Sequence, residues 1–150
     1  MTRILVDADA CPVKDEIYRV AQRTQIPVVL VANGWMRTPN RAWLELVVVD
    51  DAFDAADDWI AEQATERDIV ITADIPLAAR CLEKGARVIG HKGRPFTEET
   101  IGEALGSREL MSHLREMGLP AGGPAPLTKA DRSNFLQRLD QEIQALRRAR

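Results

Sequence analysis

Four aspartates have the types and spacing to do chemistry in this chain. Asp7 and Asp9 stand one residue apart in Ile4-Leu5-Val6-Asp7-Ala8-Asp9-Ala10-Cys11-Pro12. Asp57 falls in the first turn of a helix-forming stretch, and Asp74 follows Ile69-Val70-Ile71-Thr72-Ala73. An Asp directly after an apolar, β-branched run stands at the carboxyl end of a strand, where open α/β sheets hold their ligands. Carboxylates this close repel each other, and a divalent cation bound through oxygen relieves the repulsion. The alternative for Asp7 and Asp9 is a solvated acidic turn that caps the next helix. Asp74 alone reads as a helix cap, because Ile75-Pro76-Leu77 opens a helix after it. Its repeat of the layout around Asp7 favours a shared acidic pocket. Asp57 lines up with Phe53, Ile60 and Ala64 on an apolar stripe, and capping accounts for it as well as ligation does.

Hard oxygen donors of this kind suit Mg²⁺ or Mn²⁺, and the softer ligands His and Cys are scarce. A cation held there activates a water and stabilises charge during an in-line displacement at phosphorus. Lys14, Asn33, Arg37, Lys92, Lys129 and Arg132 are candidates to hold substrate phosphates, although each alone is more commonly a surface residue. Cys11 is a weak candidate nucleophile. A helix N-terminus would lower its pKa, Asp7 and Asp9 would raise it, and neither His91 nor His113 lies beside it in sequence.

The elements that must position these residues alternate strand and helix. Ile4–Val6 is a buried strand, and Pro12 is expected at the first position of a helix over Val13–Arg23. Val28–Ala32 is a second strand, apolar without alternation, as when both faces are covered. Trp35–Trp43 is a loop whose tryptophans are expected to fold back on the body. Its Arg37, Asn40 and Arg41 would form a rim that suits an anionic ligand. Leu46–Val49 is a third strand, and a helix from Ala55 to Glu66 follows, with Asp54 expected as its cap. Ile69–Thr72 is a fourth strand, followed by a helix to Glu83 that stops at Gly85. Ala86–Gly90 is a fifth strand, and His91–Phe96 reads as a basic loop. Thr97 caps a helix through Leu105, Ser107–Met117 is a short helix, and Gly118–Pro126 is a Gly/Pro-rich connection. Thr128 caps a last helix, with Asp131 at its third position and a buried stripe through Phe135, Leu139 and Ile143. This alternation argues a three-layer α/β/α fold with a central, mostly parallel sheet of about five strands and C-terminal helices. It reads as a single domain over 1–150, with 107–150 as a helical C-terminal extension. If strands one and four are neighbours, Asp7, Asp9 and Asp74 converge, and the helix bearing Asp57 starts on the same edge.

With 45% hydrophobic and 29% charged residues, the composition is that of a soluble globular chain. A net charge of −3 and a pI near 5.4 argue against holding nucleic acid by bulk positive charge. No apolar run is long enough to cross a bilayer, and Thr2-Arg3 leads directly into a strand rather than a signal peptide. Two cysteines without zinc spacing fit a reduced, cytoplasmic protein. No membrane is expected, and a homodimer is compatible with the sequence.

Several stretches together resemble the YaiI/YqxD family of bacterial proteins, also called UPF0178. They are Val6-Asp7-Ala8-Asp9-Ala10-Cys11-Pro12, Phe53-Asp54-Ala55-Ala56-Asp57, Ile71-Thr72-Ala73-Asp74-Ile75-Pro76-Leu77-Ala78, and Gly123-Pro124 with Asp131-Arg132-Ser133-Asn134-Phe135. The resemblance covers nearly the whole chain. It implies a branch of the PIN-like nucleases, which bind Mg²⁺ or Mn²⁺ through strand-end acids and cut RNA. Asp7, Asp57 and Asp74 match those acids, with Asp9 as an addition. Such nucleases usually carry a further acid after the next strand, and here that region reads Gly90-His91-Lys92-Gly93. Two rival readings remain at this level. Asp-x-Asp after a first strand is also the signature of haloacid-dehalogenase-like phosphatases, with Asp7 as covalent nucleophile and Asp9 as general acid. A non-catalytic protein of the same fold that binds a nucleotide or RNA is the other.

Overall fold

The computed structural model describes residues 2–50, 54–103, 106 and 126–149. The elements follow as β1 (Arg3–Asp7), α1 (Lys14–Thr24), β2 (Val28–Ala32), β3 (Leu44–Val48), α2 (Ala55–Gln63) and β4 (Asp68–Ile71). After them come α3 (Ile75–Glu83), β5 (Arg87–Ile89), β6 (Pro95–Phe96), helical residues 98–103 (α4) and α5 (Lys129–Arg148). The helix and Gly/Pro-rich connection expected over 107–125, and Phe53, lie outside the described residues.

Among the described residues six strands form one sheet in the order β3-β2-β1-β4-β5-β6. The first five are parallel and β6 is antiparallel. The expected three-layer α/β/α arrangement follows from strand alternation. Ile4 and Val6 of β1 face a core shared with α1 and α5, through Ile17, Val20, Phe135, Leu139 and Ile143. Leu5, between them, faces the other core, with Ile60 and Ala61 of α2 and Leu77 and Cys81 of α3. β2 and β4 are buried along their whole length, which is why Val28–Ala32 and, after buried Asp68, Ile69–Ile71 read as unbroken apolar runs. Each fully buried Ile, Leu or Phe in these layers contributes roughly 1.5–3 kcal/mol.

Several local expectations need correction. Pro12 is not the first helical residue: Val13 is the N-cap and α1 begins at Lys14. Asp54 holds the N-cap position of α2, but in a left-handed conformation (φ 65°) and without a side-chain cap bond. Helix α2 stops at Gln63 rather than Glu66. Part of the basic loop is a strand: a turn through Gly90 and Gly93 returns the chain so that Pro95 and Phe96 pair with β5. Two residues are too few to show any periodicity.

Helix α5 is a structural layer of the domain. Its Thr128–Asp131 capping box is complete, and it runs beside α1 from the carboxyl edge of the sheet to the amino edge. Arg23 pairs with Asp140 at 3.0 Å, Arg87 of β5 pairs with Glu142 at 2.6 Å, and Arg147 donates to the carbonyl of Thr24.

Candidate functional site

The chain winds outward from β1 to β3 and then returns to place β4 against the free side of β1. Helices α1 and α3 therefore leave the carboxyl ends of β1 and β4 toward opposite faces, the arrangement at which open α/β sheets bind ligands. Asp7 ends β1, and Thr72 to Asp74 follow β4, so both acids sit at this point.

Thr72 links them. Its side chain is fully buried. Its hydroxyl donates to Asp7 Oδ2 at 3.0 Å and accepts from the backbone N–H of Asp74, also at 3.0 Å. Sequence reasoning passes over Thr72 as the end of a strand. The available signal was a polar residue closing an apolar run one step before an acidic turn. Asp74 does cap its helix, since Oδ1 accepts from the N–H of Leu77 at 2.9 Å. Among the described residues Oδ2 has no hydrogen-bond partner.

Asp7 is half-buried, and burial is the main reason its carboxyl rises above the usual range. The Thr72 hydrogen bond opposes the rise, and the charges of Asp74 and Asp9 add to it. Asp57 lies half-buried in the first turn of α2. Burial first, then the charges of Asp74, Asp7 and Asp54, push its carboxyl up to about 6, with Arg80 acting against them. Its neighbour Asp58 turns outward and pairs with Arg80 at 2.8 Å. Asp9 is exposed, and its two oxygens accept from the backbone N–H of Asn33 at 3.3 and 3.0 Å. That contact ties the β1–α1 turn to the end of β2, instead of the helix-capping role expected as the structural alternative; α1 has Val13 at its N-cap and no side-chain cap bond.

The donor chemistry suits a hard divalent cation: Asp7 and Asp57 are raised by burial and by the charges of neighbouring acids, with no Lys among the groups acting on either. Among the described residues no three His, Cys, Asp or Glu side chains are already gathered as a metal cluster. Asp7, Asp57 and Asp74 interact through their charges without sharing a preformed coordination shell.

The cations named from sequence are dispersed. Lys14 opens α1 and Lys129 opens α5, both on the carboxyl edge. Arg37 is exposed in the β2–β3 connection. Lys92 and Arg94 line a groove of about 400 Å³ with Asn134, Gln137 and Arg138 of α5. Arg132 donates to the carbonyl of Pro12 at 2.8 Å and to Glu16 Oε1 at 3.0 Å, so it pairs with a nearby acid. A separate groove of about 570 Å³, lined by Gln25, Arg67, Arg87 and Arg147, lies at the opposite, amino edge and does not reach the acids.

Comparison with known proteins bears on this arrangement. The family model DUF188, described as the uncharacterised YaiI/YqxD family, matches residues 5–145. This chain belongs to the YaiI/YqxD (UPF0178) family. A UPF0178 protein of Rhodospirillum centenum is 56% identical over 154 residues, covering all of both chains. One from Rhodopseudomonas palustris (strain TIE-1) is 54% identical over 150 residues, covering 100% of this chain and 95% of the other. One from Brucella ovis is 57% identical over 147 residues, covering 97% and 91%. No solved structure matches the chain.

In this YaiI/YqxD protein Cys11 is buried, and burial pushes its thiol up to about 11 despite the backbone N–H of Val13 and the charge of Lys14. Thiolate chemistry is disfavoured at such a group. Among the described residues no helix is long and apolar enough to cross a membrane.

Proposed function

We propose that this YaiI/YqxD protein is a Mg²⁺- or Mn²⁺-dependent phosphodiesterase acting on RNA. The observation that supports the reading is that Asp7 and Asp74 stand at the reversal point of a parallel sheet, with Asp57 within reach of their charges. Asp7 and Asp57 are shifted upward first by burial and then by neighbouring acids, Asp74 foremost among them. Asp7 and Asp74 would hold the cation, which when bound supplies positive charge to an attacking water and to the phosphate oxygens. Thr72 orients Asp7 and fixes the backbone of Asp74. Asp57, with a carboxyl near 6 in the cation-free protein, is matched to take a proton from water near neutral pH. Lys14, Lys92 and Lys129 stand on the same edge to meet substrate phosphates. Two free, buried cysteines agree with work in a reducing compartment such as the cytoplasm.

A second reading, a nucleotide- or RNA-binding protein without turnover, is favoured by the sequence after β5, Gly90-His91-Lys92-Gly93, where PIN-like nucleases usually carry a further acid. One experiment decides between them. Mn²⁺ binding is measured by calorimetry on the wild type and on Asp7→Asn combined with Asp74→Asn, followed by cleavage of a mixed single-stranded RNA pool. Binding and cleavage that are both lost in the double variant support the phosphodiesterase. Binding without cleavage supports the second reading, and no binding at millimolar Mn²⁺ refutes the cation site.

A further inference from the structure

Trp35 is 78% exposed, against the expectation that it folds back on the body. Its surroundings make that exposure a built feature. Trp43, in the same connection, lies against Tyr18 with ring centroids 6.1 Å apart and packs on the core, as does Met36. At the start of the connection the N–H of Asn33 is held by Asp9. Trp35 is thus pinned on both sides, with its ring outward. Residues 33–43 contain Arg37 and Arg41 and no acid, in a chain with a net charge of −3. Both arginines are exposed, and neither has an ion-pair partner among the described residues. Only Arg37 stays near Trp35: Arg41 lies in the turn that opens β3 at the amino edge, so the rim expected from Arg37, Asn40 and Arg41 is not formed at the carboxyl edge. β2 is the neighbour of β1, so the connection leaves the sheet beside the turn that carries Asp7 and Asp9.

We propose that Trp35, with Arg37, is a stacking platform for an unpaired base of an RNA strand whose backbone crosses the carboxyl edge at Asp7 and Asp74. This rests on the RNA reading above and adds a selectivity to it. An indole face gains energy from any base that is free of its stack, whereas a duplex keeps its base faces covered. The Arg37 guanidinium neutralises a flanking phosphate, which an edge lined with carboxylates would otherwise repel.

The test is fluorescence anisotropy with a labelled single strand of about 12 nucleotides and with its duplex, a length within ordinary single-strand site sizes. It is run on the Asp7→Asn, Asp74→Asn protein, which separates the platform from cation binding and cleavage. Trp35→Ala is expected to weaken single-strand binding by roughly 5- to 100-fold, and Trp35→Phe to retain most of it. Duplex binding is expected to stay unchanged, and Arg37→Ala to reduce the salt dependence by about one counterion. Equal single-strand affinity with and without Trp35, an equal loss for the duplex, or no binding of either probe would overturn the proposal. A dimer that dissociates on Trp35→Ala with RNA affinity unchanged would also overturn it, and would assign the ring to a contact between two copies. Wild-type Mn²⁺ binding and cleavage are read separately and stand whichever way the platform test falls.

Discussion

Replacing Asp57 by Asn removes a carboxyl that burial first, and then the charges of Asp74, Asp7 and Asp54, hold above its ordinary range. Asp57 titrates near 6, compared with 3.8 for an ordinary Asp. Between these values the native protein holds a proton that the unfolded chain has released. Stability therefore falls as pH rises from about 4 through about 6, and the loss is complete above that. At 1.36 kcal/mol per pH unit the full displacement corresponds to about 3 kcal/mol. Solvent at this half-open surface screens it to roughly half. The favourable place of an ionised acid in the first turn of a helix recovers about 0.5 kcal/mol. Asp57→Asn should therefore stabilise the cation-free protein by about 1 kcal/mol at about pH 7.5, raising Tm by roughly 2–4 °C. By about pH 4 the gain should be close to zero, because both proteins are then uncharged at this site. Urea denaturation followed by circular dichroism in EDTA at the two pH values measures both quantities. A variant no more stable than its parent at the higher pH, or a gain that persists on acidification, refutes the reasoning. Added Mn²⁺ should shrink the gain, because a cation held by Asp7 and Asp74 offsets the negative charge that Asp57 carries in the parent and binds the parent more tightly.

Thr72→Val removes the hydroxyl that joins Asp7 to Asp74 and should destabilise by about 1–3 kcal/mol in urea denaturation. It should also raise the Asp7 carboxyl further, which a carboxyl NMR titration reads directly, because the bond that opposes the rise is lost. Gly93→Ala should destabilise by about 1–3 kcal/mol in thermal unfolding. The residue sits at φ +84°, and an added Cβ would lie 2.6 Å from the carbonyl oxygen of Asn134. A change below about 0.5 kcal/mol, the scale of an ordinary surface substitution, would refute the contact between this turn and α5. Burial pushes Cys11 to about 11 and Cys81 to about 12. Neither thiol should therefore react with a thiolate-selective reagent at about pH 8 until the protein unfolds.

The sheet was legible because its strands carry their own signal. Val28-Val29-Leu30-Val31-Ala32 and Ile69-Val70-Ile71 are apolar at every position, as strands covered on both faces must be. Asp7 and Asp74 were legible because each breaks such a run at its carboxyl end. What stayed hidden depends on contacts between distant parts of the chain. The hold of Asp9 on the backbone of Asn33 joins residues 24 apart, and the ion pair of Arg3 with buried Asp68 joins residues 65 apart. Neither leaves any local pattern. Trp35 and Trp43 show the same limit. They share one irregular connection, with no periodicity to say which ring turns inward, and only the position of Tyr18 on α1 decides that it is Trp43.

Helix α5 also sets a clock on synthesis. Phe135, Leu139 and Ile143 complete the layer over Ile4, Val6, Ile69, Ile71 and Ile89, yet they emerge from the ribosome long after the last of those strands. At 5–20 residues per second the interval from Ile89 to Ile143 is on the order of 3–10 s. For that time the nascent sheet presents, beside the part that α1 covers, aliphatic side chains that await Phe135, Leu139 and Ile143. Such a surface invites a holding chaperone or association with a neighbouring nascent chain. Delays in translating the message beyond β5 should therefore reduce the soluble yield more than equal delays before it.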